Sequence, residues 1–208
     1  MRELSLHAMP GRWRVFAARK INKAFQGVAK KVLMRDNYTC RFCGFQAQDY
    51  QDIINLDFNY QNNRGSNLAT ACCFCSQCFF LESVGLDGIS GGQLIYLPEI
   101  SQVELNSFCH VIFCAMGSGD TYHDSAQAIY RSLRLRSQVV EKELGAGSSN
   151  PSAFGQILIE TKNKYPQANF DFIKKLRLLP SYSKFSVQLQ AWTNAALAEL
   201  AQEGDKKI

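Results

Sequence analysis

Histidine is scarce in this sequence. Only His7, His110 and His123 occur among 208 residues, and none falls between Arg35 and Phe80, the segment that holds six of the eight cysteines. Thiols without a neighbouring imidazole suit a metal held for structure better than one held open for catalysis. Long apolar runs are also missing, since no stretch of eighteen residues is apolar enough to span a bilayer and the N-terminus lacks the hydrophobic stretch of a signal peptide. Both absences predict a cytoplasmic protein, and in a reducing compartment cysteines at ligand spacing predict a metal site rather than disulfides. No nucleotide-binding glycine loop, nucleophile elbow or paired-carboxylate constellation occurs. Gly88-x-x-Gly91-Gly92 lacks the Lys-Ser/Thr that would make it a phosphate cradle.

What is present is enough apolar sequence to build a core. The chain is 46% hydrophobic and 12% aromatic, sufficient for one sizeable core or two small ones. Its clearest motif is a pair of Cys-x-x-Cys units. Cys40-x-x-Cys43-Gly44 has the form of a zinc knuckle, in which a turn aims both sulfurs at one point and Gly44 takes the positive φ that follows. The second unit is ambiguous, because Cys72-x-x-Cys75 and Cys75-x-x-Cys78 both have ligand spacing and Cys73 adds a further thiol. In Asn67-Leu68-x-x-Ala71-Cys72-x-x-Cys75 a short strand leads into the first thiol, and the second falls in the opening turn of a helix. That register favours Cys40, Cys43, Cys72 and Cys75 as ligands of one structural Zn2+, leaving Cys73 and Cys78 as small apolar neighbours.

Val32-Leu33-x-Arg35-Asp36-x-Tyr38-x-Cys40-x-x-Cys43-Gly44, Leu56-Asp57-Phe58, and Asn67-Leu68 with Cys72-x-x-Cys75 together resemble the HNH-type treble clef of metal-dependent nucleases. The resemblance implies the zinc fold without the cutting chemistry. Where that family has an Asp-His pair this chain has Asp57-Phe58, and a phenyl ring cannot accept a proton from water. Ser76 stands at the position of the usual asparagine after the last cysteine. Over its whole length, including the opening Met1-Arg2-Glu3-Leu4-Ser5-Leu6, the chain resembles a family of components of the Dot/Icm type IVB coupling complex. That resemblance implies a non-enzymatic adaptor, peripheral at the inner membrane. It implies binding to the C-terminal extension of the coupling ATPase, DotL, through a surface the sequence does not mark, and support for effector recruitment. The alternative is a divergent HNH nuclease or nucleic-acid-binding protein.

The segment from Pro10 to Arg35 carries eight basic residues and no acid, with apolar positions at helical spacing, and predicts one or two helices beside the zinc unit. Its cations admit a solvated face, a phosphate contact, or an acidic protein or lipid surface. Ile53–Phe58 reads as a strand, Asn62–Ser66 as a loop, and Gln93–Leu97 as a strand ending at Pro98. A soft boundary there divides a basic lead-in and zinc module, 1–98, from a helical part, 99–208, which can also pack as one domain with the first.

Ser101-x-x-Glu104 is a capping box ahead of Leu105, Phe108, Val111, Ile112 and Ala115, with Gly117 as the expected stop. Cys109, His110 and Cys114 lie on this helix as core residues, since the two thiols are five apart and face different ways. A helix capped by Asp120 or Thr121 is expected to run to Leu144, with Glu141 and Glu143 answering Arg131, Arg134 and Arg136. Gly145–Pro151 reads as a linker. Helices are then expected at 152–164, 168–178 and 183–202, ahead of a frayed end. The fold class is α+β: an HNH-like treble-clef zinc module with a small β-hairpin region, plus a mainly helical C-terminal part.

Overall fold

The computed structural model describes residues 2–86, 90–119, 121–161 and 171–205. Part of the glycine-rich stretch, Asp120, residues 162–170 of two expected helices and the last three residues of the expected frayed end lie outside the described residues. The basic lead-in forms two helices, α1 (Arg12–Lys20) and α2 (Lys23–Arg35), parted at Asn22, whose side chain caps α2 by accepting from the Phe25 amide. Two strands follow, β1 (Gln51–Asn55) and β2 (Leu68–Cys72), paired antiparallel in the register Gln51 to Cys72 and Asn55 to Leu68. β1 ends three residues sooner than expected. Phe58 has φ of 58°, so the chain is already turning where the sequence pattern reads as strand.

β2 runs directly into α3 (Cys73–Ser76), a single turn prolonged as a 3-10 turn over Gln77–Phe79. Knuckle, hairpin and helix follow in the order a treble clef requires. A second antiparallel pair joins β3 (Gly92–Tyr96) to β4 (Leu176–Pro180). β4 corrects an expectation, because the sequence pattern predicts Leu176–Leu178 as the end of a helix over 168–178. Alternation is weak there, but Leu94, Ile95, Leu178 and Leu179 are all buried, and a partner strand decides what local pattern leaves open. Both outer edges of this pair are satisfied. The Gln102 side-chain amide donates to the Leu178 carbonyl at 2.9 Å and accepts from its N–H at 2.8 Å, and Leu94 donates to the Ser149 carbonyl at 2.8 Å. An exposed edge is thereby removed.

The remaining helices are α4 (Gln102–Ser118), α5 (His123–Leu135), α6 (Ser137–Leu144), α7 (Pro151–Glu160) and α8 (Ser186–Asp205). The capping box at Ser101 and Glu104 is formed. Gly117 does not stop α4, which continues to Ser118 and ends at Gly119 with φ of 68°. Phe108 and Val111 are not core residues. They stand 38% and 67% exposed, while Leu105, Cys109, Ile112, Phe113 and Met116 take the inner face together with Asn106 and His110. The expected helix from Thr121 to Leu144 is two helices, bent at Arg136. That arginine pairs with Glu99 through two bonds of 2.7 and 2.8 Å rather than with Glu141, whose carboxylate accepts from the Gly147 and Ser149 amides. One hydrophobic cluster runs from Leu4 through Phe74 and Leu94 to Leu189, so residues before and after Pro98 share it.

Candidate metal centre

Gly44 has φ of 78°, and its N–H donates to the Cys40 carbonyl at 3.0 Å while Cys40 donates to the Phe45 carbonyl at 2.8 Å. These bonds close the knuckle. Asp36 ties it to the hairpin by accepting from the Thr70 amide at 3.0 Å and from Arg35. On the other side Cys72 ends β2 as the N-cap of α3, and Cys75 lies within that helix. The four sulfurs of Cys40, Cys43, Cys72 and Cys75 converge, all within 4.8 Å of one another and all buried.

Zinc–sulfur bonds of about 2.3 Å in a tetrahedron place sulfurs about 3.8 Å apart. The observed spread brackets that value, with Cys43 and Cys72 Sγ at 3.5 Å. It is far too wide for a disulfide, and all eight cysteines are free. Electrostatics points the same way. Burial pushes the Cys72 and Cys75 thiols well up, whereas hydrogen bonds from Cys43, Cys72 and Cys75 draw Cys40 down. Burial thus opposes ionisation of Cys72 and Cys75, and a divalent ion held by the sulfurs is what would favour their thiolates. The donor set fits a metal ion. Cys78 is outside the group, its Sγ donating to the Phe74 carbonyl at 3.4 Å, and Cys73 is half-buried.

Helix α4 lies across this cluster. Asn106 Nδ2 donates to Cys75 Sγ at 3.2 Å, His110 Nε2 lies 3.3 Å from Cys72 Sγ, and the Ser107 hydroxyl donates to the Cys43 carbonyl at 2.8 Å. An N–H donor to sulfur, as Asn106 is and as His110 is in its Nε2–H tautomer, stabilises a thiolate and orients it. The His110 ring is clamped between Phe45, 3.6 Å away and nearly parallel, and Phe74, with Trp192 of α8 against its edge. Burial pulls its pKa down to about 3, which keeps the imidazole neutral. No protein-family model matches the chain. The Type 4 apparatus protein DotN of Legionella pneumophila is 54% identical to it over 199 residues, 96% of this chain and 93% of that protein. The chain belongs to the DotN family.

In this DotN-family chain the positions that resemble the nuclease site are engaged otherwise. Asp57 is exposed and accepts from Asn62 Nδ2 at 2.7 Å, Asn67 Nδ2 at 2.8 Å and the Asn59 amide at 2.8 Å. These bonds, with the Asn62 side chain first among them, hold its carboxyl below the usual range and make it the organiser of its own loop. The Phe58 ring packs against His7 and Phe79, and its carbonyl accepts from Arg12 at 2.7 Å. Ser76 donates to Asp52 at 2.6 Å.

The basic lead-in is partly consumed in the same way. Arg19 is buried against Phe25 and Tyr60 and donates to Asn55 and the Ile53 carbonyl. Burial lowers its pKa to about 10. Lys20 meets Asp52 at 2.6 Å, and Arg35 binds Asp36 and the Gly65 and Leu68 carbonyls. Sequence reasoning missed the three α4 residues facing the cysteines. The available signal was that Asn106 and His110 are polar, four apart, and so on one face of an apolar helix.

Proposed function

We propose that this chain is a non-enzymatic, zinc-stabilised adaptor of a type IV coupling complex, which binds the C-terminal extension of the coupling ATPase DotL and supports effector recruitment. The observation that carries the proposal is the 54% identity, over nearly all of both chains, to a type 4 apparatus protein. Cys40, Cys43, Cys72 and Cys75 are assigned as ligands of one structural Zn2+. Four thiolates leave no open position for water, so this metal supplies rigidity and no Lewis-acid chemistry. Asp57 and Phe58 carry no general base in this reading. Among the described residues no helix is long and apolar enough to cross a membrane, and attachment to the inner membrane goes through the complex.

A tail that orders on binding must bury on the order of 1,000 Å² to offset its lost freedom. Exposed Phe108 and Val111 on α4 and Val187 and Leu197 on α8 are apolar side chains on which such a contact could draw. The contact is therefore expected to weaken only modestly with salt. Nucleic acid held by six or more cations would lose roughly a thousandfold as salt rises fourfold from about 50 mM, and the internal bonds of Arg12, Arg19, Lys20 and Arg35 leave fewer cations for it. Calorimetric titration of the chain with the DotL extension and with DNA across that salt range tests the proposal. Tight tail binding with a shallow salt slope is expected. Steeply salt-dependent DNA binding, with none to the tail, would overturn it.

A further inference from the structure

Between α5 and the loop that opens α7 lies a cleft of about 580 Å³ that the metal centre does not use. Its floor is the start of β3 and the end of β4, at Gly92 and Leu179. Arg131 and Arg134 of α5 line it, three residues apart and therefore on one helix face. Among the described residues no acidic side chain lines the cleft. This sets it apart from the neighbouring Arg136, which Glu99 neutralises. Arg131 donates to the neutral Gln127 amide, at 2.7 Å, and among the described residues neither Arg131 nor Arg134 forms an ion pair with an acid. Two guanidiniums lining one concavity, with no acidic partner among the described residues, leave a site of positive charge.

The rest of the wall narrows the class of anion. Asn150 Oδ1 already takes the first free amides of α7, from Ser152 at 3.0 Å and Ala153 at 3.2 Å, so no backbone cradle is open to a phosphate. Tyr130 gives its hydroxyl to the Pro180 carbonyl and receives the Tyr182 amide. Its half-buried ring is left as the apolar lining on offer, since Met116, Pro151 and Leu179 line the cleft but are themselves buried. Guanidiniums pair with carboxylates in two-bond geometry, and apolar walls beside them suit the side chains of a peptide. The volume is that of a small-ligand cleft.

We propose that this cleft binds an acidic peptide segment of a partner protein, with Glu or Asp carboxylates on Arg131 and Arg134 and an apolar side chain against the half-buried Tyr130 ring. The site stands apart from the DotL reading and does not depend on it. The test is fluorescence anisotropy on the zinc-loaded full chain, with a fluorescein-labelled, C-terminally amidated peptide of alternating Leu and Glu. Gln in place of Glu is expected to weaken binding at least tenfold. Replacing Arg131→Ala together with Arg134→Ala is expected to do the same without moving the melting temperature, since both side chains are exposed. The charge-matched pair Lys30→Ala and Lys31→Ala on α2 is expected to change affinity less than twofold. Wild-type affinity in the arginine pair, or an equal loss in the lysine pair, would overturn the site. Displacement of the peptide by equimolar inorganic phosphate, or preference for a neutral peptide with a free C-terminal carboxylate, would overturn the assignment to acidic side chains.

Discussion

Gly155 sits where α7 crosses the Leu81–Ser83 turn, and a Cβ built on it would lie 2.5 Å from the Glu82 amide nitrogen and 2.9 Å from its Cα. The obstacle is backbone, which cannot swing aside. Alanine gains about 1 kcal/mol of helix propensity over glycine, but overpacking a fixed contact costs about 1–3 kcal/mol. Gly155→Ala is therefore expected to lower stability by about 1 kcal/mol, read as a lower urea midpoint at unchanged slope. At this scale the sequence spoke clearly for some residues only. The knuckle at Cys40, Cys43 and Gly44 was legible because spacing and a glycine encode it locally. The positive φ of Phe58 was not, since an aromatic carries no sign of it. His7, with Phe58 and Phe79 against its ring, meets them through a segment fixed by the bond from the Leu81 amide to its own carbonyl, which no local pattern announces.

Helix α4 joins the two ends of the chain. One stripe of it fills the core, and a second sets Asn106 and His110 on the sulfurs of Cys75 and Cys72. A bond from N–H to thiolate is charge-assisted, and such supporting partners commonly carry 10- to 100-fold in metal affinity. Asn106→Ala and His110→Ala are each expected to weaken zinc retention at least tenfold in competition with a chromophoric chelator, whereas Phe108→Ser on the outer face of the same helix leaves it unchanged. The ends of α4 were legible within a turn from its capping box and Gly117, but its inner face only in part: Cys109 and His110 read as core and are buried, whereas Phe108 and Val111 face outward and nothing local marks Asn106 as a partner of sulfur. β4 illustrates the converse. Leu176–Pro180 becomes strand only because β3, about eighty residues earlier, supplies its ladder, and the break between α5 and α6 falls at Arg136, which meets Glu99 from a distant part of the chain.

Over the whole molecule, residues on both sides of Pro98 share one core, and the four cysteines lie beneath a helix from the C-terminal half. Metal removal is expected to cost more than the zinc module. Cys72→Ser, with the metal lost, is expected to melt the 1–98 and 99–208 parts together at a much lower temperature in scanning calorimetry, while Cys78→Ser keeps one zinc per chain by elemental analysis and melts near wild type. Family and fold class were legible from the chain as a whole; the way its halves interlock was not, since that depends on contacts between distant residues. The cover over the sulfurs also bears on time. With all four thiols buried and α4 lying across them, an outside chelator would reach a bound ion only in the moments when that helix lifts. Loss of the ion is then first order, with a half-life set by local opening, and adding more chelator ceases to hasten it.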